Sequence, residues 1–223
     1  GIVRSKKDFT VGNVALSMDA FWMWVKIVVA CIPAVVYGLL FDDVVSEAFK
    51  KEIGTSGVTV QVIVVAVMLI LVGVLFIVIE NWNKNRVPTT TTLSQLTYRD
   101  ALIIGFCQLV AAALPGTSRS GATILGAIMI GISRTVAAEF TFFLAIPVMF
   151  GASLLKLVKF GFAFSVLEFF ILVIGMVVAF FVSIFVIRFL MSYIKKHDFK
   201  VFGWYRIVLG AFVLIFFAIR ALL

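Results

Sequence analysis

From Ala101 to Ile132 the chain reads ALIIGFCQLVAAALPGTSRSGATILGAIMIGI. Two apolar runs, 14 residues from Ala101 to Leu114 and 11 from Ala122 to Ile132, flank a polar centre that contains Pro115, Gly116, Arg119, Gly121 and several hydroxyls. At a rise of about 1.5 Å per residue these runs reach roughly 21 and 16 Å, against a hydrocarbon core of about 30 Å. Neither crosses a bilayer alone. Irregular backbone at membrane depth survives only where it is buried in protein or lines a wet cavity. The break at Pro115-Gly116 therefore predicts a re-entrant pair of short helices with a ligand site at its tip.

The residues at that tip suit an anion. Gly116 and Gly121 let backbone N–H groups approach a ligand, Arg119 offers a bidentate fork for phosphate, and Ser118, Ser120 and Thr123 add neutral donors. Gln108, upstream, either bonds across helices or orients the same ligand. The plainer alternative is a helix break whose serines bond backbone and whose arginine snorkels to the interface. An arginine at this depth is costly unless paired or functional, and its sequence neighbours are serines, not carboxylates. The motif is strong for anion binding and weak for chemistry, since it holds no base, acid or metal ligand.

Composition fixes the setting. The 223 residues are 63% hydrophobic and 13% charged, with a mean hydropathy of +1.20. Soluble domains are far more polar. Five further segments read as full spans: Ala20 to Phe41, Val58 to Ile79, Thr135 to Val158, Phe162 to Ile187 and Trp204 to Leu223. The expected fold is an all-α integral membrane protein, a polytopic helix bundle forming one membrane domain over residues 1–223, with the re-entrant segment at 101–132. Pro33 and Pro147 predict kinks. The opening glycine and the basic stretch after it read as a loop, so the chain is expected to be part of a longer protein.

The net charge of +8 does not point to nucleic acid, because the basic residues sit in short loops between spans. If the broken segment re-enters, one side collects 12 of the 19 basic residues, including Lys84, Arg86, Arg134, Lys195, Lys196 and Arg206. That side is then cytoplasmic, with residues 1–18 and 81–98 on it. Full crossing would send the Lys195 cluster outside, so re-entry is preferred. Residues 85–97 read as a polar loop or linker, and Gly175, Ala179 and Ser183 as a small-residue stripe for helix packing.

Other polar residues are assigned blander roles. Glu139 is expected to pair with Arg134 along its helix, Glu80 and Glu168 to sit at span ends, and Lys26 to snorkel. Asp42, Asp43 and Glu47 read as a solvated loop. Cys31 and Cys107 lie in apolar runs as small hydrophobes, and a single histidine, His197, excludes a multi-histidine metal site within this chain. No metal ligand is assigned.

The run QLVAAALPGTSRSGAT from Gln108 to Thr123, with Ser133-Arg134, Ala138-Glu139-Phe140 and Ala145-Ile146-Pro147, resembles the second half of the undecaprenyl-diphosphate phosphatase family associated with bacitracin resistance. The likeness extends to Ile32 through Phe41 and to Tyr205-Arg206, so it covers essentially the whole chain. It implies an inverted-repeat architecture, hydrolysis of the terminal phosphate of undecaprenyl diphosphate, a divalent cation such as Mg or Ca, and a bacterial inner-membrane location. Pro115, Gly116, Ser118, Arg119, Ser120, Gly121 and Thr123 match the family's second motif, whose arginine binds the diphosphate. The implied partners are the polyprenyl diphosphate lipid and the membrane; a homodimer is left open.

The family's first motif, a glutamate-rich helix followed by a serine and histidine turn, has no counterpart before the first span. The implied nucleophile, base and cation ligands are therefore not in this chain, which is expected not to turn over by itself. A competing expectation is a transporter or flippase whose broken helices hold an anionic headgroup without cleaving it.

Overall fold

Each helix boundary has a local cause, and the boundaries place the broken segment. The computed structural model describes residues 8–11, 14–40, 57–161 and 165–222. A short antiparallel pair, β1 (Asp8–Val11) and β2 (Val14–Ser17), precedes seven helices among the described residues. These are α1 (Met18–Leu40), α2 (Gly57–Asn83), α3 (Tyr98–Ala113), α4 (Arg119–Met129), α5 (Arg134–Phe160), α6 (Val166–Ile194) and α7 (Lys200–Leu222). Five of them, α1, α2, α5, α6 and α7, are long and apolar enough to cross a membrane. The protein is an all-α multi-pass membrane protein.

Helix α3 starts at a capping box. Asp100 N–H donates to the Thr97 hydroxyl at 3.1 Å, and the Asp100 carboxylate accepts from Thr97 N–H at 2.9 Å. It stops at Ala113, where Pro115 biases Leu114 to an extended conformation (φ −112°, ψ 109°). Helix α4 ends at Met129, and the chain turns away at Gly131, whose φ of +92° suits glycine. Ser133 then caps α5 by accepting from Val136 N–H at 3.4 Å.

The broken segment does re-enter. Thr89 N–H donates to the Gly131 carbonyl at 2.9 Å and Ser133 N–H donates to the Thr90 carbonyl at 2.9 Å, with a parallel bridge between Thr90 and Ile132. The chain before α3 and the chain after α4 are therefore stitched together on one side. Residues 85–97, expected to be a polar loop or linker, form a loop held by its own hydrogen bonds: Gln95 Oε1 accepts from Thr91 N–H at 2.9 Å and from Thr92 N–H at 3.3 Å.

The core gathers where α1, α3, α4 and α5 meet, around Ile27, Ile104, Ile128, Phe140 and Leu144. Helices α2 and α7 touch backbone to backbone. A Cβ at Gly73 would lie 2.7 Å from the Gly203 carbonyl, and one at Gly203 would lie 2.7 Å from the Gly73 carbonyl. Helix α6 buries almost nothing, as expected of a lipid-facing span.

Several expected bounds move. Helix α2 continues to Asn83, not Ile79, and α6 to Ile194, not Ile187, while α7 begins at Lys200, not Trp204. Hydropathy ends where charge begins, whereas the helices run on because the charges there are paired or face water. The start of α6 at Val166 follows from the Ser165–Glu168 capping box. Phe41, Phe162, Leu223, Asp42, Asp43 and Glu47 lie outside the described residues.

Candidate anion site

The turn between α3 and α4 is tight for two reasons. Gly116 has φ +88°, and a Cβ there would lie 2.9 Å from the Val65 carbonyl. Ser118 is the one non-glycine residue with positive φ among the described residues (φ 63°, ψ 117°), a strain of about 1–3 kcal/mol. Its hydroxyl caps α4, accepting from Gly121 N–H at 3.3 Å, and stands 3.3 Å from the Ser120 hydroxyl. The strain turns Ser118 and Ser120 toward each other at the positive end of α4.

Arg119 opens α4 and reaches toward α5, where its Nη2 donates to Met149 Sδ at 3.1 Å. A thioether is a weak acceptor, and among the described residues no carboxylate pairs with this guanidinium. It lies beside a cavity of about 270 Å³ that Gln108, Ser120, Thr123, Thr141 and Met149 also line. Gln108 is 4% exposed, and its Nε2 has no hydrogen-bond partner among the described residues. A guanidinium held only by a thioether and an unpartnered amide thus meet at this cavity among the described residues. Arg119 itself is exposed, so it edges the hollow and is not enclosed by it.

Thr123 lies at the same cavity but is buried, with its hydroxyl 2.9 Å from the Arg119 carbonyl and 3.1 Å from the Ser120 carbonyl. The Thr141 hydroxyl donates to it at 3.1 Å. Thr123 secures the first turn of α4 and ties it to α5.

Arg206 is the residue that sequence reasoning missed. Counted above as a loop charge, it lies inside α7, where Nη2 donates to the Gly116 carbonyl at 3.2 Å. A Cβ at Gly121 would lie 2.9 Å from Arg206 Nη1. Both lie on a second cavity of about 310 Å³ with Ser118 and Ser120, walled by Phe76, Phe199 and Tyr205. Ser120 lines both cavities, so its hydroxyl stands between two guanidinium-bearing hollows. The signal for Arg206 was the spacing of Gly203 and Gly210, which bring α7 onto α2 and its arginine under the turn.

The acids fall elsewhere. Arg134 does not pair with Glu139; its Nε lies 3.0 Å from both oxygens of Glu80, and its Nη2 bonds Glu80 Oε2 as well. Glu80 is 1% exposed and also accepts from Phe199 N–H at 3.2 Å, so this end-of-span acid ties α2 to α5 and α7. Sequence separation hid the pair. Glu139 faces an apolar groove of about 910 Å³ between α5 and α6, lined by Phe142, Phe143, Ile146 and Met191. Ala145 and Met149 line both this groove and the Arg119 cavity. A hard divalent cation needs oxygen ligands, chiefly carboxylates. Among the described residues no carboxylate lines either cavity at the turn, and no three of His, Cys, Asp and Glu come together. These donors fit an anion and do not fit the implied cation.

Residues 2–212 match the family model described as Bacitracin resistance protein BacA. The undecaprenyl-diphosphatase of Desulfitobacterium hafniense is 59% identical over 211 residues, covering 95% of this chain and 72% of that protein. An undecaprenyl-diphosphatase of Enterococcus faecalis is 58% identical, covering 92% and 70%, and undecaprenyl-diphosphatase 1 of Clostridium acetobutylicum is 56% identical, covering 93% and 72%. With an arginine at the turn of a re-entrant helix pair, and a match along nearly its whole length, the chain belongs to the BacA bacitracin-resistance family.

Proposed function

We propose that this protein holds the diphosphate head of undecaprenyl diphosphate at the α3–α4 turn while the terminal phosphate is hydrolysed, returning undecaprenyl phosphate to cell-wall synthesis in the bacterial inner membrane. One observation carries the reading: the Arg119 guanidinium, with only a thioether for a partner among the described residues, edges a cavity into which the buried Gln108 amide also brings an unmet donor. Relatives at 56–59% identity are named for this reaction. In the reaction an oxygen nucleophile bonds to the terminal phosphorus, the bridging P–O bond breaks, and the lipid phosphate leaves with its electron pair. Arg119 meets charge on the phosphoryl oxygens, and the Ser118 and Ser120 hydroxyls orient the head. Arg206 holds the turn through the Gly116 carbonyl. The nucleophile and base come from residues outside those lining the two cavities.

The head cavity is smaller than the roughly 300–1,000 Å³ typical of whole-ligand sites. The prenyl tail passes Ala145 and Met149 into the apolar groove between α5 and α6. Homodimerisation through α6 belongs to the same reading. It is supported by the open space over Gly175, where a Cβ would meet nothing within 4 Å, and cysteine cross-linking at Ala179 tests it.

Phosphate release from undecaprenyl diphosphate by the intact protein tests the assignment. Arg119→Ala is expected to lower kcat/KM by about 100-fold or more, and Arg119→Lys by a smaller factor, because lysine keeps charge and loses the fork. Wild-type rates in both variants end the proposal, and tight lipid binding without phosphate release in the wild type favours a transporter instead.

A further inference from the structure

The basic run after α6 takes no part in the Arg119 cavity, although its Lys195 also edges the groove between α5 and α6, and it does not simply face water. Lys195, Lys196 and Lys200 converge with Lys84 and Arg134 on a hollow of about 410 Å³ whose floor is the buried Glu80 carboxylate. The hollow shares no lining residue with the Arg119 cavity. Its residues come from the end of α2, the start of α5 and the α6–α7 turn, so the fold, not one sequence run, gathers the charge.

The pairing there is incomplete. Glu80 is used by Arg134 and Phe199, and Asp198 lies 3.7 Å from Lys200 Nζ. Among the described residues Lys84, Lys195 and Lys196 have no ion pair, and Arg134 Nη1 has no hydrogen-bond partner. Like charges gathered this way repel one another unless an anion sits among them. A tetrahedral oxyanion has enough acceptor oxygens for several ammonium groups and a guanidinium edge at once. The hollow is on the side richer in lysine and arginine, which places it at the cytoplasmic headgroup layer, where anionic lipids attract basic pockets between helices.

We propose that this hollow is a second anion site that takes a phosphate group, presented either by an anionic phospholipid headgroup or by a free phosphate ion. It stands independently of the reaction assigned to the Arg119 cavity. The test is thermal unfolding of the intact protein in detergent, titrated with dioctanoyl phosphatidylglycerol, with inorganic phosphate, and with uncharged dioctanoylglycerol. A saturable rise is expected with at least one phosphate-bearing probe and none with dioctanoylglycerol, and the apparent affinity weakens about tenfold or more in K195Q/K196Q and in K84Q. Arg119→Lys leaves it in place. Saturation by phosphatidylglycerol that inorganic phosphate does not displace identifies a lipid headgroup; saturation by inorganic phosphate identifies a free ion. A rise that survives in both lysine variants, that disappears with Arg119→Lys, or that neither phosphate probe produces overturns the proposal. Should the double variant unfold early without ligand, K84Q alone decides between these outcomes.

Discussion

Gln108 shows how a single side chain separates binding from stability. A buried donor without an acceptor costs about 1–3 kcal/mol, so a protein that keeps one gains nothing in folding from it. Gln108→Met is therefore expected to raise the unfolding temperature and to raise KM for the lipid diphosphate about twofold to tenfold, the worth of one hydrogen bond. Calorimetry and steady-state kinetics on the same variant read both; a lower unfolding temperature with unchanged KM removes Gln108 from the site. The cradle was legible at this scale because Pro115, Gly116, Arg119 and the serines are contiguous and their chemistry is local. Arg206 was not, because its role depends on α7 touching α2, a contact that the flanking Gly203 and Gly210 permit without naming the partner helix.

At the scale of elements, the Glu80–Arg134 bridge joins three helices, and its two ends differ. The Glu80 side chain is fully buried, whereas that of Arg134 is 39% exposed. Arg134→Met strands a buried carboxylate and is expected to cost about 3–5 kcal/mol. Glu80→Gln leaves a guanidinium that still reaches water, and retains an acceptor for Phe199 N–H, so it is expected to cost clearly less. Denaturant unfolding in detergent ranks the two, and equal losses contradict the asymmetry. Helix existence was readable from hydropathy, since each span is a long apolar run. Helix ends were not, because Glu80 looks like a terminus until its partner 54 residues away is known. The Arg134–Glu139 expectation failed for the same reason: neighbours in sequence lost to a partner across the bundle.

For the whole molecule, re-entry decides which loops share a side. Lys84 and Lys196 line one hollow, so both belong to the same face, while the α5 end at Gly161 belongs to the other. Single cysteines placed at Lys84 and Lys196 are expected to react with a membrane-impermeant maleimide from one side of sealed vesicles, and a cysteine at Gly161 from the opposite side. Labelling of Lys84 and Lys196 from opposite sides contradicts the topology. The loop charges alone favoured this arrangement, because full crossing would split the basic residues between the two faces.

The stitch between Thr90 and Ile132 bears on how the polypeptide is made. A ribosome releases Thr90 well before Ser133, and in that interval α3 is an apolar stub too short to traverse lipid and without its companion α4. Its final placement has to wait until the distal half has emerged and the latch can close, so the insertion machinery handles the pair as one delayed unit.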